Sequence, residues 1–168
     1  MLFFALFTPF ATSLLKPSGR FSHNSINHKN NILILGGSEK PPGYNRTCLE
    51  DGNGTIASGL WKYNPQKNSW KHEEIKPPAR RGATLVKLND ELYLHGGGTV
   101  DPDNALKSTP CGDLWKYNKY NKWDFLGPAP ELYCHSSIAA PNNYIYSFGG
   151  IDNKGFNSQL YIYNGKGW

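Results

Sequence analysis

The sequence predicts an all-β fold of stacked repeats, and three observations carry that prediction. Gly36-Gly37, Gly96-Gly97 and Gly149-Gly150 each follow a short apolar run, Ile32 to Leu35, Leu92 to His95 and Ile145 to Phe148. Each pair precedes a matching block: Leu60-Trp61-Lys62-Tyr63-Asn64, Leu114-Trp115-Lys116-Tyr117-Asn118 and Leu160-Tyr161-Ile162-Tyr163-Asn164. A lone tryptophan then follows, at Trp70, Trp123 and Trp168. Gly37 to Gly97 is 60 residues, while Gly97 to Gly150 and Trp70 to Trp123 are both 53. Periods of about 50 residues in this order belong to propeller blades rather than helical solenoids. One such unit cannot bury its apolar faces alone, so copies must stack.

Each repeat parses into four strands. The first begins near Phe21 to Ile26, Gly82 to Val86 and His135 to Ile138, where small residues suit an inner strand crowded at the ring axis. The second is the apolar run, nearly continuous because both its faces are buried. The glycine pair that ends it allows dihedrals closed to other residues and a close approach to the next blade. The Leu60, Leu114 and Leu160 blocks form the third strand, and their terminal Asn64, Asn118 and Asn164 open turns rich in turn formers. The lone tryptophan starts the fourth. All five tryptophans thus occupy repeat-equivalent positions, and packing between blades is their simplest role; a sugar-stacking platform is the sharper alternative.

Composition agrees. The chain has 168 residues, 38% of them apolar, 18% charged and 14% aromatic, with 18 glycines and 12 prolines, as short strands and tight turns require. That balance excludes a disordered tail or a membrane span. The net charge of +5 is spread over strand ends and turns (Lys62, Lys67, Lys116, Lys119, Lys122). With no basic run or helix to concentrate it, nucleic-acid binding is not expected.

The order of apolar strand, Gly-Gly, loop, Leu60-Trp61-Lys62-Tyr63-Asn64 block, turn and Trp70, repeated three times, resembles the kelch repeat over residues 14 to 168. The resemblance implies a kelch-type β-propeller segment of about three four-stranded blades, near residues 20–76, 80–127 and 133–168. Propellers use four to eight blades, so three make an incomplete ring. A truncated piece of a longer ring is the preferred expectation, since Trp168 stands where the third blade's outer strand should begin; two chains combining their blades is the other. Residues 1–15 carry two readings. Their apolar run followed by Ala11-Thr12-Ser13 resembles a secretory signal, which is preferred and points to a secreted or extracytoplasmic chain over a cytoplasmic one. Yet Phe10 precedes Pro17 by the same interval as Trp70 precedes Pro77, so this stretch could instead be an outer strand closing the last blade.

The loops between second and third strands (residues 38–59, 98–112, 151–158) and those leading into each blade (16–20, 77–81, 128–133) share one face, where function on a rigid scaffold concentrates. Asn45 and Asn53 sit in N-glycosylation sequons on the first of these loops. Cys48 and Cys111 occupy equivalent loops and are placed to form a disulfide, leaving Cys134 over; three unpaired thiols are the other reading. His23 and His135 are repeat-equivalent, with Ala83 between them, and lack the close ligand pairs of structural zinc. His95, which replaces an apolar residue, reads as a core or channel histidine. Arg20 and Arg80 are equivalent, with Leu132 in the third copy. In kelch propellers that this chain resembles, arginines near such loops read acidic or polar partners, for which a guanidinium fork is suited; an arginine bonded to loop carbonyls is the structural alternative. The binding-face candidates are therefore Arg20, His23, Arg80, Arg81, Tyr133 and His135.

The resemblance implies a non-catalytic protein-interaction module with no cofactor and no bound metal. A secreted or surface carbohydrate-binding protein is the alternative, and an enzyme like galactose oxidase or sialate epimerase a more distant one. Tyr133, Cys134 and His135 are the residue types a copper oxidase needs, but adjacent strand side chains point to opposite faces and cannot converge.

Overall fold

The computed structural model describes residues 15–39, 55–101 and 104–168. Asn45, Cys48, Asn53 and the first 14 residues lie outside them, and with them the sequons, the disulfide and the N-terminal readings. Among the described residues all regular structure is strand. The first blade is an antiparallel meander of Asn24–His28, Asn31–Leu35, Leu60–Asn64 and Ser69–Glu73. The second repeats it with Thr84–Leu88, Glu91–His95, Asp113–Tyr117 and Trp123–Pro128. The third comprises Ser136–Ala139, Ile145–Phe148 and Leu160–Tyr163. The described residues form no closed ring, as expected of a propeller segment.

Local chemistry sets each register. Lys29-Asn30 and Asn89-Asp90 all have positive φ, the type I′ geometry whose twist matches a two-residue hairpin. At the end of the third strand the Asn64 and Asn164 side chains accept backbone N–H groups from Lys67 and Lys166, and Asn118 accepts from Tyr120 and Lys122. These are Asx turns, in which the asparagine side chain stands in for a backbone acceptor at the reversal.

Alternation gives each blade a trailing face, toward the next blade, and a leading face, toward the previous one. Leu33, Leu35 and Leu60 on the first blade's trailing face pack against Leu92, Leu94, Tyr117 and Trp123 on the second blade's leading face. At the next seam Val86, Tyr93 and Leu114 meet Ile145, Tyr163 and Trp168. The tryptophans serve these seams: Trp123 stacks 5.0 Å from Tyr117, and Trp168 lies 5.5 Å from Tyr163.

Backbone hydrogen bonds lock the seams. Gly37 N–H donates to Arg80 O (2.9 Å) and Gly97 N–H to Leu132 O (2.8 Å). Nearer the axis, Gly82 N–H donates to Ser22 O (2.9 Å) and Cys134 N–H to Gly82 O (2.7 Å). Ser22, Gly82 and Cys134 are equivalent, and all hold φ between 53° and 59°.

Candidate functional site

The chain leading into each blade carries three successive positions with different fates. The first, Arg20, Arg80 or Leu132, turns inward. Arg80 is 1% exposed; its Nη1 donates to Gly96 O (2.8 Å), its Nε to Pro78 O (3.0 Å), and both Nη atoms bind Asp113 (2.5 and 2.8 Å). Arg20 repeats the arrangement with Gly36 O and a 2.6 Å bond to Glu39. These two arginines are struts that tie the glycine pair to the loop, because four of the five N–H donors of each are engaged inside the fold. Leu132, buried in the third copy, fills the same space without charge.

The second position, Phe21, Arg81 or Tyr133, remains half-buried at the loop face. Each pairs in antiparallel register with the residue just after the glycine pair of its own blade: Phe21 with Ser38, Arg81 with Gly98 and Tyr133 with Ile151. The loops therefore fold back as short ribbons that hold an aromatic, an arginine and an aromatic at one level on successive blades. Arg81 reaches Ser108 Oγ (2.6 and 3.0 Å) and, across the seam, Ser38 Oγ (3.4 Å). Among the described residues its partners are hydroxyls, which orient the guanidinium without neutralising it. Past the third ribbon, Phe156 is 96% exposed. Phe21 and Phe156 were not singled out from sequence; placing Phe21 in register with Arg81 and Tyr133 was the available signal.

His23 and His135, equivalent in sequence, differ in place. His23 is exposed, whereas His135 is buried in the seam between the second and third blades. There His135 Nε2 lies 3.0 Å from both His95 Nδ1 and Thr84 Oγ1, and Ser137 and Ser147 extend the network. His95 Nε2 donates to Pro130 O (3.0 Å), so its Nδ1 must accept. His135 Nδ1 is buried without a partner. Burial holds both rings neutral, with His95 pushed down to about 4, and His135, with His95 beside it, to about 3. A second proton on the His135 ring, at the buried Nδ1, would meet no acceptor. His135 is therefore a seam residue and does not present a side chain to a ligand, and His95 is the satisfied core histidine its position implied.

The sign of the resulting pH dependence follows. Both folded-state values lie below the ordinary 6.5, so the unfolded chain binds more protons between them and stability falls as pH drops from about 6.5 toward 3. The melting temperature should decline through this window. Combining His95→Leu with His135→Ala, which copies the Leu35 and Ala83 pair of the first seam, should flatten that decline; an unchanged slope would remove the histidines as its cause.

The three-blade meander, the glycine pairs and the ribbon-backed loops define a segment of a kelch-type propeller. No family model matches the chain. Curated relatives do: it is 28% identical over 148 residues to Kelch domain-containing protein 10 of Xenopus laevis, covering 82% of this chain and 31% of that protein. It is 26% identical over 136 residues to Kelch-like protein 15 of Homo sapiens, covering 80% and 20%. To Kelch domain-containing protein 3 of Bos taurus it is 28% identical over 119 residues, covering 69% and 27%. The chain thus spans less than a third of the length of each of these relatives. Sequence pattern, all-β fold and relatives point the same way: the chain is similar to kelch-repeat proteins over most of its length.

Proposed function

We propose that the chain is a non-catalytic protein-interaction module that reads its partner with the row formed by Phe21, Arg81 and Tyr133. The row carries the reading: three residues of the types that dominate interface energies stand at equivalent positions on a rigid ribbon scaffold. Arg81, oriented by Ser38 and Ser108, suits an acidic or polar segment of the partner. The groups that chemistry would need are tuned the other way. The two buried histidines stay neutral, and burial pushes the Cys134 thiol up despite Arg81 beside it, away from the reactive thiolate.

The test is affinity capture with the full chain, comparing wild type, the triple variant Phe21→Ala/Arg81→Ala/Tyr133→Ala, and Tyr120→Ala on the turns at the opposite end. Removing hot-spot residues worth about 2 kcal/mol or more each should cut recovery of the bound protein at least tenfold. Tyr120→Ala should leave it unchanged, and the melts should show all three folded. Capture that survives the triple variant would sink the reading.

A further inference from the structure

The two free faces of the segment are built like the two halves of its internal seams. On the third blade's trailing face, Phe148 is 56% exposed and Leu160 57%, with Ile138, Tyr146 and Ile162 beside them. Their equivalents at the first seam, Leu35 and Leu60, are 2% and 0% exposed beneath the second blade. On the first blade's leading face, Ile32, Ile34, Trp61, Tyr63 and Trp70 are exposed or half-buried, whereas the matching Leu92, Leu94, Tyr117 and Trp123 form the covered core. The Tyr63–Trp70 stack, 4.7 Å between ring centroids, repeats the buried Tyr117–Trp123 stack.

The polar groups match in the same sense. At the second seam Thr84 of one blade meets His135 of the next. By strand register Ser136 stands where Thr84 does, since Ser136 pairs with Phe148 as Thr84 pairs with His95. The exposed His23 stands where His135 does. A hydroxyl and a histidine are thus available on the two free faces in the arrangement that the second seam uses. The backbone positions match too: Gly150 N–H corresponds to Gly37 and Gly97, and the Arg20 carbonyl to those of Arg80 and Leu132.

We propose that two copies of this chain associate head to tail, the trailing face of each third blade covering the leading face of the other copy's first blade, to close a six-bladed ring. Each new seam is then held by Gly150 N–H to Arg20 O, by Ser22 N–H to Cys134 O and by Ser136 with His23. Six blades lie within the four to eight that propellers use, and a heterologous contact gives a discrete particle only when the rotation closes.

The experiment is light scattering after size exclusion of the full 168-residue chain over a concentration series. A discrete dimer is expected for wild type. Phe148→Asp on one face and Ile32→Asp on the other should each shift it to monomer, with the dissociation constant raised at least a hundredfold and the melt still cooperative. Should Phe148→Asp fail to fold, Leu160→Asp tests the same face. Mixing the two single variants should restore a dimer, because one of its two seams then joins two intact faces; a face-to-face dimer would not be rescued in this way. A wild-type monomer at about 100 μM, a dimer indifferent to both substitutions, or a ladder of open polymers would each overturn the proposal. The monomer would assign the free faces to blades beyond this sequence or to another protein.

Discussion

Asp113→Ala is expected to cost roughly 3–5 kcal/mol of folding stability, the range for stranding one partner of a buried ion pair. Arg80, 1% exposed, would keep its charge inside the loop with only the Gly96 and Pro78 carbonyls to face. Asp113 also takes the Trp115 indole N–H at 2.6 Å, so the same change orphans a second donor. Because the Asp113 side chain is 21% exposed, water reaches part of the site and the lower half of that range is the expectation. Burial raises the Asp113 carboxyl, but the hydrogen bonds from Arg80 and Trp115 and the Arg80 charge outweigh it and hold the group below its ordinary 3.8. A lowered carboxyl contributes stability above that ordinary value and loses it as pH falls through the folded one, so the penalty of Asp113→Ala should shrink in strong acid. Urea unfolding measures both effects. The third repeat supplies the control: it has Leu132 and Gln159 at these two positions. Arg80→Leu combined with Asp113→Gln should therefore recover most of the loss. A cost below about 1 kcal/mol for Asp113→Ala would show the pair to be screened like an ordinary surface ion pair.

The same comparison between repeats shows what was legible in the sequence. Strand order, the glycine pairs, the asparagine turns and the packing role of the tryptophans could all be read because each is dictated by backbone geometry or by burial, and three copies restate it. His95 could be read because a single histidine in an apolar run has few ways to be satisfied. The site was less legible. Arg20 and Arg81 look alike as letters one position from an equivalent residue, yet one is tied to Gly36 and Glu39 while the other faces the loop surface beside Ser108. What separates them is the alternation of consecutive extended residues, which sends the two side chains to opposite sides just before the positive-φ turn at Ser22, Gly82 and Cys134. No residue type announces that turn, because serine, glycine and cysteine all make it. His23 and His135 diverge for another reason: the second is covered by a neighbouring blade, and coverage belongs to the assembly of repeats rather than to either one.

Gly96→Ala is the second large effect, and its value lies in the contrast with Gly149→Ala. Both glycines hold left-handed backbone, with φ of 62° and 71°, so both substitutions carry a strain of about 1–2 kcal/mol. At Gly96 the added methyl group would also overlap the Leu132 carbonyl oxygen and crowd the His135 ring, in a seam already locked by the Gly97 N–H to Leu132 O bond. Overpacking of this kind adds roughly 1–3 kcal/mol, and backbone cannot swing aside as a side chain can. The total of about 2–5 kcal/mol should unfold a large fraction of a marginal domain. Gly36→Ala, which meets Arg80 O in the same way, should match it. At Gly149 the nearest atom is Asn157 O at 3.7 Å, ordinary contact, so only the strain remains. If a second copy covers that face, however, Gly149 sits under its Arg20 carbonyl just as Gly96 sits under Leu132. Gly149→Ala should then lower the monomer's melt by no more than that strain of about 1–2 kcal/mol requires while weakening the dimer further, a separation of folding from assembly that neither Gly36→Ala nor Gly96→Ala can produce.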